Sequence, residues 1–217
     1  DIAGISAAAK AAGALVVADN TTMTPLGQRP LDLGADVVVS ADTKAVNGHS
    51  DALFGHVATR DAGVLAAVKE WRKLSGAIPG PFEAWQVHRG LETLDVRFER
   101  MCASAQVVAE RLAGRGVATV YPGLEDHPSH NLARRQMRRF GFLIGLTLPN
   151  AETAEAFINS CPLIQPATSF GGTHTSAELR ARWGDAVAPG FVRLSVGCEP
   201  VEELWKAIES AIDSATR

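Results

Sequence analysis

The apolar run Ala14-Leu15-Val16-Val17-Ala18 ends in Asp19, and a second run, Asp36-Val37-Val38-Val39-Ser40, leads into Ala41-Asp42-Thr43-Lys44. Short continuous apolar runs bounded by polar residues are typical of strands that are buried on both faces of a sheet. Helix-forming stretches alternate with these runs, so the sequence predicts an α/β fold in which the two strands pair in parallel. Asp19 and Lys44 would then lie at the same edge of the sheet, where α/β proteins bind ligands.

An amine and a carboxylate at one sheet edge suit the cofactor pyridoxal 5'-phosphate (PLP). PLP needs a lysine that forms a Schiff base and a carboxylate that keeps its pyridine nitrogen protonated. Lys44 and Asp19 are the candidates for these roles, and the hydroxyls of Ser40 and Thr43 are candidates for binding the phosphate. A single lysine or aspartate is usually a surface or turn residue. The hypothesis therefore depends on the pair and its setting.

The second half of the chain places one charged residue within an apolar strand. Arg193 lies in the run Phe191–Val196, where an arginine is costly unless it is paired. A substrate carboxylate bound through two hydrogen bonds would pair it. The alternative is an edge strand with Arg193 in solvent. The segment 168–172, which includes Ser169, ends in two glycines that permit close approach to the backbone.

The helical periodicity divides the chain in two. Apolar side chains recur every three or four residues from Trp85 to Leu112, which predicts one long helix that leaves a first domain and enters a second. Further strands are predicted over 52–59, 117–121, 142–148 and 191–196, and helices over 152–161 and 200–215. The predicted domains are residues 1–103 and a smaller α+β domain, residues 104–217.

Composition argues against several classes of protein. The net charge is −3, with no block of like charges, which disfavours nucleic acid or an anionic membrane as a partner. No apolar run approaches the roughly 18 residues of a membrane span, and no secretory signal opens the chain. The cysteines, Cys102, Cys161 and Cys198, form no C-x-x-C pair. We therefore expect no disulfide framework, no metal site and a cytoplasmic location.

Several further motifs carry a resemblance to one family. They are Val16-Val17-Ala18-Asp19-Asn20-Thr21, Thr43-Lys44, Gly48-His49-Ser50-Asp51, Arg89-Gly90-Leu91-Glu92-Thr93-Leu94, Ser169-Phe170-Gly171-Gly172 and Arg193-Leu194-Ser195-Val196-Gly197. Together they resemble the cystathionine γ-lyase/γ-synthase family, the PLP-dependent enzymes of cysteine and methionine metabolism with fold type I. The resemblance spans nearly the whole chain, and its details look most like bacterial cystathionine γ-lyases.

The resemblance implies a role for each candidate residue. Lys44 would be the Schiff-base lysine and proton shuttle, Asp19 the partner of the pyridine nitrogen, and Thr43 a ligand of the phosphate. Ser169 and Arg193 would bind the substrate α-carboxylate. The substrate would be a small sulfur-containing amino acid, and the assembly a homotetramer built as a dimer of dimers.

The resemblance also implies an organisation and an activity. Residues 1–103 would be the C-terminal part of the PLP-binding large domain and residues 104–217 the small C-terminal domain, so the chain would be part of a longer enzyme. The expected reaction is α,γ-elimination of cystathionine to cysteine, 2-oxobutanoate and ammonia. Two alternatives stay open: γ-replacement that joins cysteine to an activated homoserine, and a truncated fragment without catalytic activity.

Two positions depart from the family pattern. The family usually has a serine three residues before the lysine, where this chain has Ala41, with Ser40 one residue earlier. Many γ-acting members have a glutamate before the serine that matches Ser169, where this chain has Thr168. The loss of one phosphate hydrogen bond would cost about 1 kcal/mol, so it would weaken cofactor binding without abolishing it.

Overall fold

A computed structural model describes all residues, Asp1–Arg217, as two compact units. The first unit comprises Asp1–Asp95 with Arg134–Arg139, and the second comprises Val96–Ala133 with Phe140–Arg217. The division falls between Asp95 and Val96, whereas the sequence predicted a boundary after residue 103. None of the helices combines the length and the apolar character that crossing a membrane requires.

The chain contains eight α-helices and eight strands. The helices are α1 Ile2–Ala11, α2 Thr24–Gly27, α3 Ala62–Ser75, α4 Pro81–Leu91, α5 Leu94–Gly114, α6 His130–Gln136, α7 Ala151–Ser160 and α8 Val201–Ala215. The strands are β1 Val17–Asp19, β2 Val37–Ser40, β3 His56–Thr59, β4 Ala118–Val120, β5 Leu143–Thr147, β6 Gln165–Pro166, β7 Ser176–Leu179 and β8 Phe191–Ser195. Short 3-10 turns lie at Pro30–Leu33 and Arg180–Trp183.

The first unit is built on a three-stranded mixed sheet with the order β1-β2-β3. β1 and β2 are parallel, with Val17 opposite Val37 and Asp19 opposite Val39. β3 is antiparallel to β2 and begins at His56, four residues later than predicted. The parallel pairing that the two apolar runs predicted is therefore confirmed.

The prediction that both strands are buried on both faces is wrong for β1. Val37 and Val38 in β2 are buried, but Leu15 and Val17 are 63% and 60% exposed. β1 comes first in the order of the three strands that this chain contributes to the sheet. The apolar character of a run therefore does not by itself establish that the run is covered.

The single long helix predicted from Trp85 to Leu112 is two helices. α4 ends at Leu91 and α5 begins at Leu94. The apolar stripe of α5 is at most 1% exposed at Phe98, Met101, Ala105, Val108 and Leu112. Trp85 in α4 is 56% exposed, so it does not continue that stripe. Apolar residues recur every three or four positions in both helices, and the short break between them does not interrupt this spacing. The sequence pattern therefore did not show where one helix ends and the next begins.

The second unit is a five-stranded sheet with the order β4-β5-β8-β7-β6. All neighbours are antiparallel except β6 and β7. The strands β6 and β7 were not predicted, and β7 separates β8 from the edge of the sheet. The core of the unit contains fully buried side chains from β5, β8, α7 and α8, namely Ile144, Leu146, Val192, Leu194, Phe157, Leu204 and Ile208.

Candidate active site

Lys44 lies in a turn, residues 42–47, that follows β2 directly. The side chain is half-buried. The amide of Lys44 donates to the carbonyl of Ala41 over 3.1 Å, and the carbonyl of Lys44 accepts from the amide of Gly48 over 2.8 Å. Gly48 has a φ of +77°, a conformation that glycine adopts without strain. The backbone on both sides of Lys44 is therefore fixed by hydrogen bonds.

Asp19 ends β1 at the same edge of the sheet. Its side chain is exposed, and Oδ1 accepts a 2.9 Å hydrogen bond from the amide of Thr21. The hydroxyl of Thr21 in turn accepts from the amide of Ala41 over 2.9 Å. The segments that follow β1 and β2 are thus tied together three residues before Lys44. The parallel pairing places the end of β1, at Asp19, and the end of β2, four residues before Lys44, at the same edge of the sheet.

The two hydroxyls proposed as phosphate ligands differ in their surroundings. Oγ1 of Thr43 accepts from the amide of Phe54 over 3.0 Å and donates to the carbonyl of the same residue over 3.3 Å. To donate to a phosphate, the hydroxyl would have to turn away from that carbonyl. The Thr43 side chain is half-buried beside Lys44. It keeps its place as the candidate phosphate ligand of this turn.

The structure does not support Ser40 as a phosphate ligand. Asp19 is opposite Val39, and side chains alternate along a strand, so Ser40 lies on the other face of the sheet. Ser40 is 8% exposed, and its hydroxyl donates to Oδ1 of Asp42 over 3.1 Å. It lines a cavity of about 270 Å³ together with Val38. The alternation of the strand therefore corrects the prediction.

A carboxylate that the sequence analysis passed over lies within this turn. Asp42 is 3% exposed and accepts from Nδ1 of His56, which is 2.8 Å from each carboxylate oxygen. The histidine comes from β3, fourteen residues further along the chain. The only sequence signal for this contact was the position of Asp42, two residues before the candidate lysine. That position does not indicate which side chain pairs with the carboxylate.

Gly90 provides the contact between α4 and the turn. A Cβ at this position would lie 2.7 Å from the carbonyl oxygen of Asn47 and 3.0 Å from its Cα. Asn47 is itself buried, and its amide closes the turn onto the carbonyl of Asp42 over 2.9 Å. A side chain of any size at position 90 would push against backbone that holds Lys44.

Replacing Gly90 with alanine is expected to destabilise the protein by about 1–3 kcal/mol, because the overpacking exceeds the gain of roughly 1 kcal/mol in helix propensity. Urea unfolding of the two proteins measures the difference. Gly114→Ala is the matched control, since a Cβ there meets nothing within 4 Å. Equal unfolding midpoints for Gly90→Ala and the wild type would contradict the expectation.

Arg193, in the second unit, lies on an inner strand and is paired. Its Nη2 is 2.7 Å from Oε2 of Glu178 and 2.7 Å from the carbonyl oxygen of Thr168. Its guanidinium carbon is 5.2 Å from the ring centre of Phe170. The alternative of an edge strand is therefore wrong, and the guanidinium does not depend on a substrate for a partner. Sequence spacing could not identify Glu178, which is opposite Arg193 in the β7–β8 ladder.

The ion pair leaves part of the guanidinium available. The contacts to Glu178 and Thr168 both use Nη2, so the N–H groups of Nε and Nη1 are the donors that remain for a substrate carboxylate. Burial lowers the pKa of Arg193, and the nearby Glu178 carboxylate opposes that shift. The loop that contains Ser169 is attached to β8, since the amide of Gly171 donates to Oγ of Ser195 over 3.0 Å.

The residues of the first unit fit PLP at two of its three functional ends. Lys44 has the amine that a Schiff base requires, and Asp19 has an exposed carboxylate that can face the pyridine nitrogen. For the phosphate, Thr43 is the remaining candidate. Ser40 lies on the other face of the sheet from Asp19, and Ala41 has no hydroxyl. An amine and a carboxylate near the ends of adjacent parallel strands, on a mixed α/β sheet, are the arrangement expected of a PLP-dependent enzyme of fold type I.

Comparison with known proteins identifies the family. Residues 1–213 match the model of the Cys/Met metabolism PLP-dependent enzymes, and the chain belongs to this family. A putative cystathionine gamma-lyase of Streptomyces coelicolor is 51% identical over 219 residues, covering 100% of this chain and 56% of that protein. A cystathionine beta-lyase of Lactococcus lactis subsp. cremoris is 38% identical over 226 residues, covering 98% of this chain and 60% of that protein.

Solved structures agree with the family assignment. The apo form of CalE6, a methionine gamma lyase from Micromonospora echinospora, superposes with a TM-score of 0.94 at 37% identity, covering 98% of this chain and 59% of that chain. A cystathionine gamma synthase from Xanthomonas oryzae pv. oryzae, in complex with aminoacrylate and cysteine, gives a TM-score of 0.94 at 35% identity, covering 100% and 59%. The chain thus spans less than two thirds of the length of these relatives.

Proposed function

We propose that the full-length protein is a PLP-dependent carbon–sulfur lyase that carries out the α,γ-elimination of cystathionine. With one water consumed, the products are cysteine, 2-oxobutanoate and ammonia. The observation that carries the proposal is that Asp19 ends β1 and that Lys44 lies four residues after the end of the adjacent parallel strand β2. The 51% identity to a putative cystathionine gamma-lyase supports the choice of substrate.

The roles of the side chains follow from their chemistry. PLP, when bound, supplies a sink for the electron pair left at the substrate α-carbon. The carboxylate of Asp19 holds a proton on the pyridine nitrogen, because an adjacent negative charge favours the protonated ring. Nζ of Lys44 would remove the α-proton and then a proton from Cβ, so that the Cγ–S bond can break with release of the cysteine thiolate, and would later return a proton to the substrate at Cγ. The hydroxyl of Thr43 would bind the phosphate.

We assign the binding of the substrate carboxylate to Arg193. Arg193 is held by Glu178 and Thr168, so its guanidinium needs no reorganisation when a carboxylate arrives. Ser169, in the loop before β7, is the proposed second ligand of that carboxylate. The first unit is then part of the large PLP-binding domain, and the second is the small C-terminal domain. A cytoplasmic location stays a prediction.

The proposed assembly is a homotetramer, a dimer of dimers. Five large apolar side chains of the segment from α3 to α4 are more than half exposed, namely Trp71 65%, Leu74 78%, Ile78 64%, Phe82 63% and Trp85 56%. Phe82 and Trp85 stack with their ring centres 5.9 Å apart. Exposed apolar clusters of this kind mark protein interfaces. Another copy of the chain is the proposed partner, and sedimentation of the full-length protein measures it.

A second candidate reaction is γ-replacement, in which cysteine is joined to an activated homoserine. The similarity to the cystathionine gamma synthase of Xanthomonas oryzae favours it. Thr168, where many γ-acting enzymes have a glutamate, leaves the choice between the two to experiment. A fragment without catalytic activity is the remaining alternative.

An assay of the full-length protein with PLP separates these candidates. We expect cystathionine to yield cysteine and 2-oxobutanoate in equal amounts, with a kcat/KM above that for O-succinylhomoserine plus cysteine. Pyruvate and homocysteine as products would identify β-elimination instead. Faster formation of cystathionine from O-succinylhomoserine would identify γ-replacement. The absence of turnover with every substrate would favour the non-catalytic alternative.

A further inference from the structure

Asp42 is a buried carboxylate within the turn that carries Lys44. It is only 3% exposed, and a buried carboxylate is costly unless it is paired and hydrogen-bonded. Its carbonyl accepts from the amide of Asn47 over 2.9 Å, which closes the turn around Lys44. Contacts that hold Asp42 in place therefore also hold the backbone of the turn that carries Lys44.

Two side chains from neighbouring strands hold this carboxylate. Nδ1 of His56 lies 2.8 Å from each oxygen, and the hydroxyl of Ser40 donates to Oδ1 over 3.1 Å. Ser40 and His56 are directly opposite each other in the β2–β3 ladder. We assign the proton to Nδ1 because its partner is an acceptor. The carboxylate is thus clamped to the two-strand frame that precedes and follows the turn.

The charge of His56 depends on this contact. The hydrogen bond to Asp42 raises the pKa of His56 above its usual 6.5, and partial burial opposes the shift. Besides Asp42, the ionisable groups that line the two cavities to which His56 contributes are Arg29, Asp32, Arg60 and His88. Arg60 is paired with Asp32 over 2.6 Å. The carboxylate of Asp42 is therefore the partner that determines the protonation of His56.

We propose that Asp42 and His56 are positioning residues for Lys44, an ion pair that holds the turn after β2 in place and loosens it when the imidazole loses its charge. The proposal rests on the proposed function of Lys44 and adds two residues to it. Neither side chain carries a role in cofactor or substrate binding above. They act through the backbone of residues 42–47, with Ser40 as the third member of the cluster.

The dependence on pH has a definite sign. A histidine whose pKa is raised on folding contributes stability that is complete below its unfolded pKa, about 6.5, and is lost as pH rises through the higher folded pKa. The ion pair is thus strongest in mildly acidic solution. The turn is least firmly held in alkaline solution.

Thermal unfolding of the apoprotein at about pH 6 and about pH 9 tests the pair without cofactor or substrate. We expect the wild type to lose about 2–4 °C more than His56→Gln between these conditions, because only the wild type loses the charged pair. His88→Gln is the matched control, an exposed histidine on the other side of the neighbouring cavity. It should behave like the wild type. Equal losses in the wild type and His56→Gln would overturn the ion pair.

A second measurement reports on the position of the amine itself. Reductive methylation of the apoprotein, read by mass spectrometry, compares Lys44 with the exposed Lys69. In His56→Gln and in Asp42→Asn, Lys44 should be modified about threefold faster relative to Lys69, because the turn opens more often. The double variant should show no further increase. If the ratio of Lys44 to Lys69 modification were unchanged in both single variants, the pair would have no effect on the position of the amine. That result would overturn the proposal, and so would an increase in the double variant equal to the sum of the two single increases.

Steady-state kinetics of the loaded enzyme complete the test. We expect kcat of His56→Gln to fall by about tenfold, with KM within about twofold of the wild type, because the loss concerns the placement of the base and not substrate binding. A kcat within twofold of the wild type would overturn the positioning role. If the wild type itself turns over no substrate, the proposed function fails, and the unfolding and methylation results still decide whether the pair holds the turn.

Discussion

Replacing Lys44 with alanine in the full-length protein is expected to lower kcat for cystathionine by at least about a thousandfold. The variant loses both the covalent anchor of the cofactor and the base that moves the α-proton, each of which contributes about 10²–10⁴ or more. The fold should survive, because the hydrogen bonds of this residue to Ala41 and Gly48 use only its backbone. Release of 2-oxobutanoate and the absorbance of bound PLP measure the two losses.

Lys69→Ala is the control for the loss of a positive charge. Lys69 is exposed on α3, in the same unit of the chain. It should retain wild-type kcat and wild-type cofactor absorbance. The assignment of Lys44 would be refuted if the Lys44→Ala enzyme kept more than about a tenth of wild-type kcat. Loss of both the cofactor anchor and the catalytic base should lower kcat much further than that.

Replacing Asp19 with asparagine is expected to lower kcat by about a hundredfold or more. Asparagine keeps an oxygen that can accept the hydrogen bond from the amide of Thr21, so the loop after β1 should stay in place. What the variant loses is the negative charge that favours the protonated pyridine ring, an effect of 1–3 pKa units for a close ion pair. Steady-state kinetics of the PLP-loaded variant measure the loss, and urea unfolding checks the fold.

A matched substitution tests whether the loss of any surface carboxylate has the same effect as the loss of the Asp19 carboxylate. Asp126 is exposed in the loop between β4 and α6, and Asp126→Asn should leave kcat unchanged. If Asp19→Asn were as active as Asp126→Asn, the carboxylate at the tip of β1 would have no part in the chemistry. A variant that is inactive and also unfolded would be replaced by Asp19→Glu, which keeps the charge and should recover part of the activity.

The main features of the first unit were predictable because they depend on local sequence. Two apolar runs of strand length, each followed by polar residues, predicted parallel pairing, and Val17 is indeed opposite Val37. The same pairing places the ends of the runs, Asp19 and Lys44, at one edge of the sheet. The motifs around them predicted the family that the comparisons identify.

The errors arose where the outcome depended on strand register or packing that the local sequence does not specify. Ser40 was a reasonable phosphate ligand by its distance from Lys44, but the phase of β2 turns it toward Asp42. Arg193 was expected to need an external partner, yet Glu178 on an unpredicted strand pairs with it. The break between α4 and α5 was hidden because the apolar period continued across it.

By itself, the sequence determined the α/β class, the parallel strand pair and the two groups at its end, because apolar runs and their polar boundaries act over a few residues. Only the tertiary structure decided which face Ser40 takes, that His56 reaches Asp42, and that Arg193 is already paired. The contacts of Asp42 with His56 and of Glu178 with Arg193 join residues fourteen and fifteen positions apart in the sequence. Such pairings depend on register and on packing against neighbours, and neither is encoded in any single stretch of the chain.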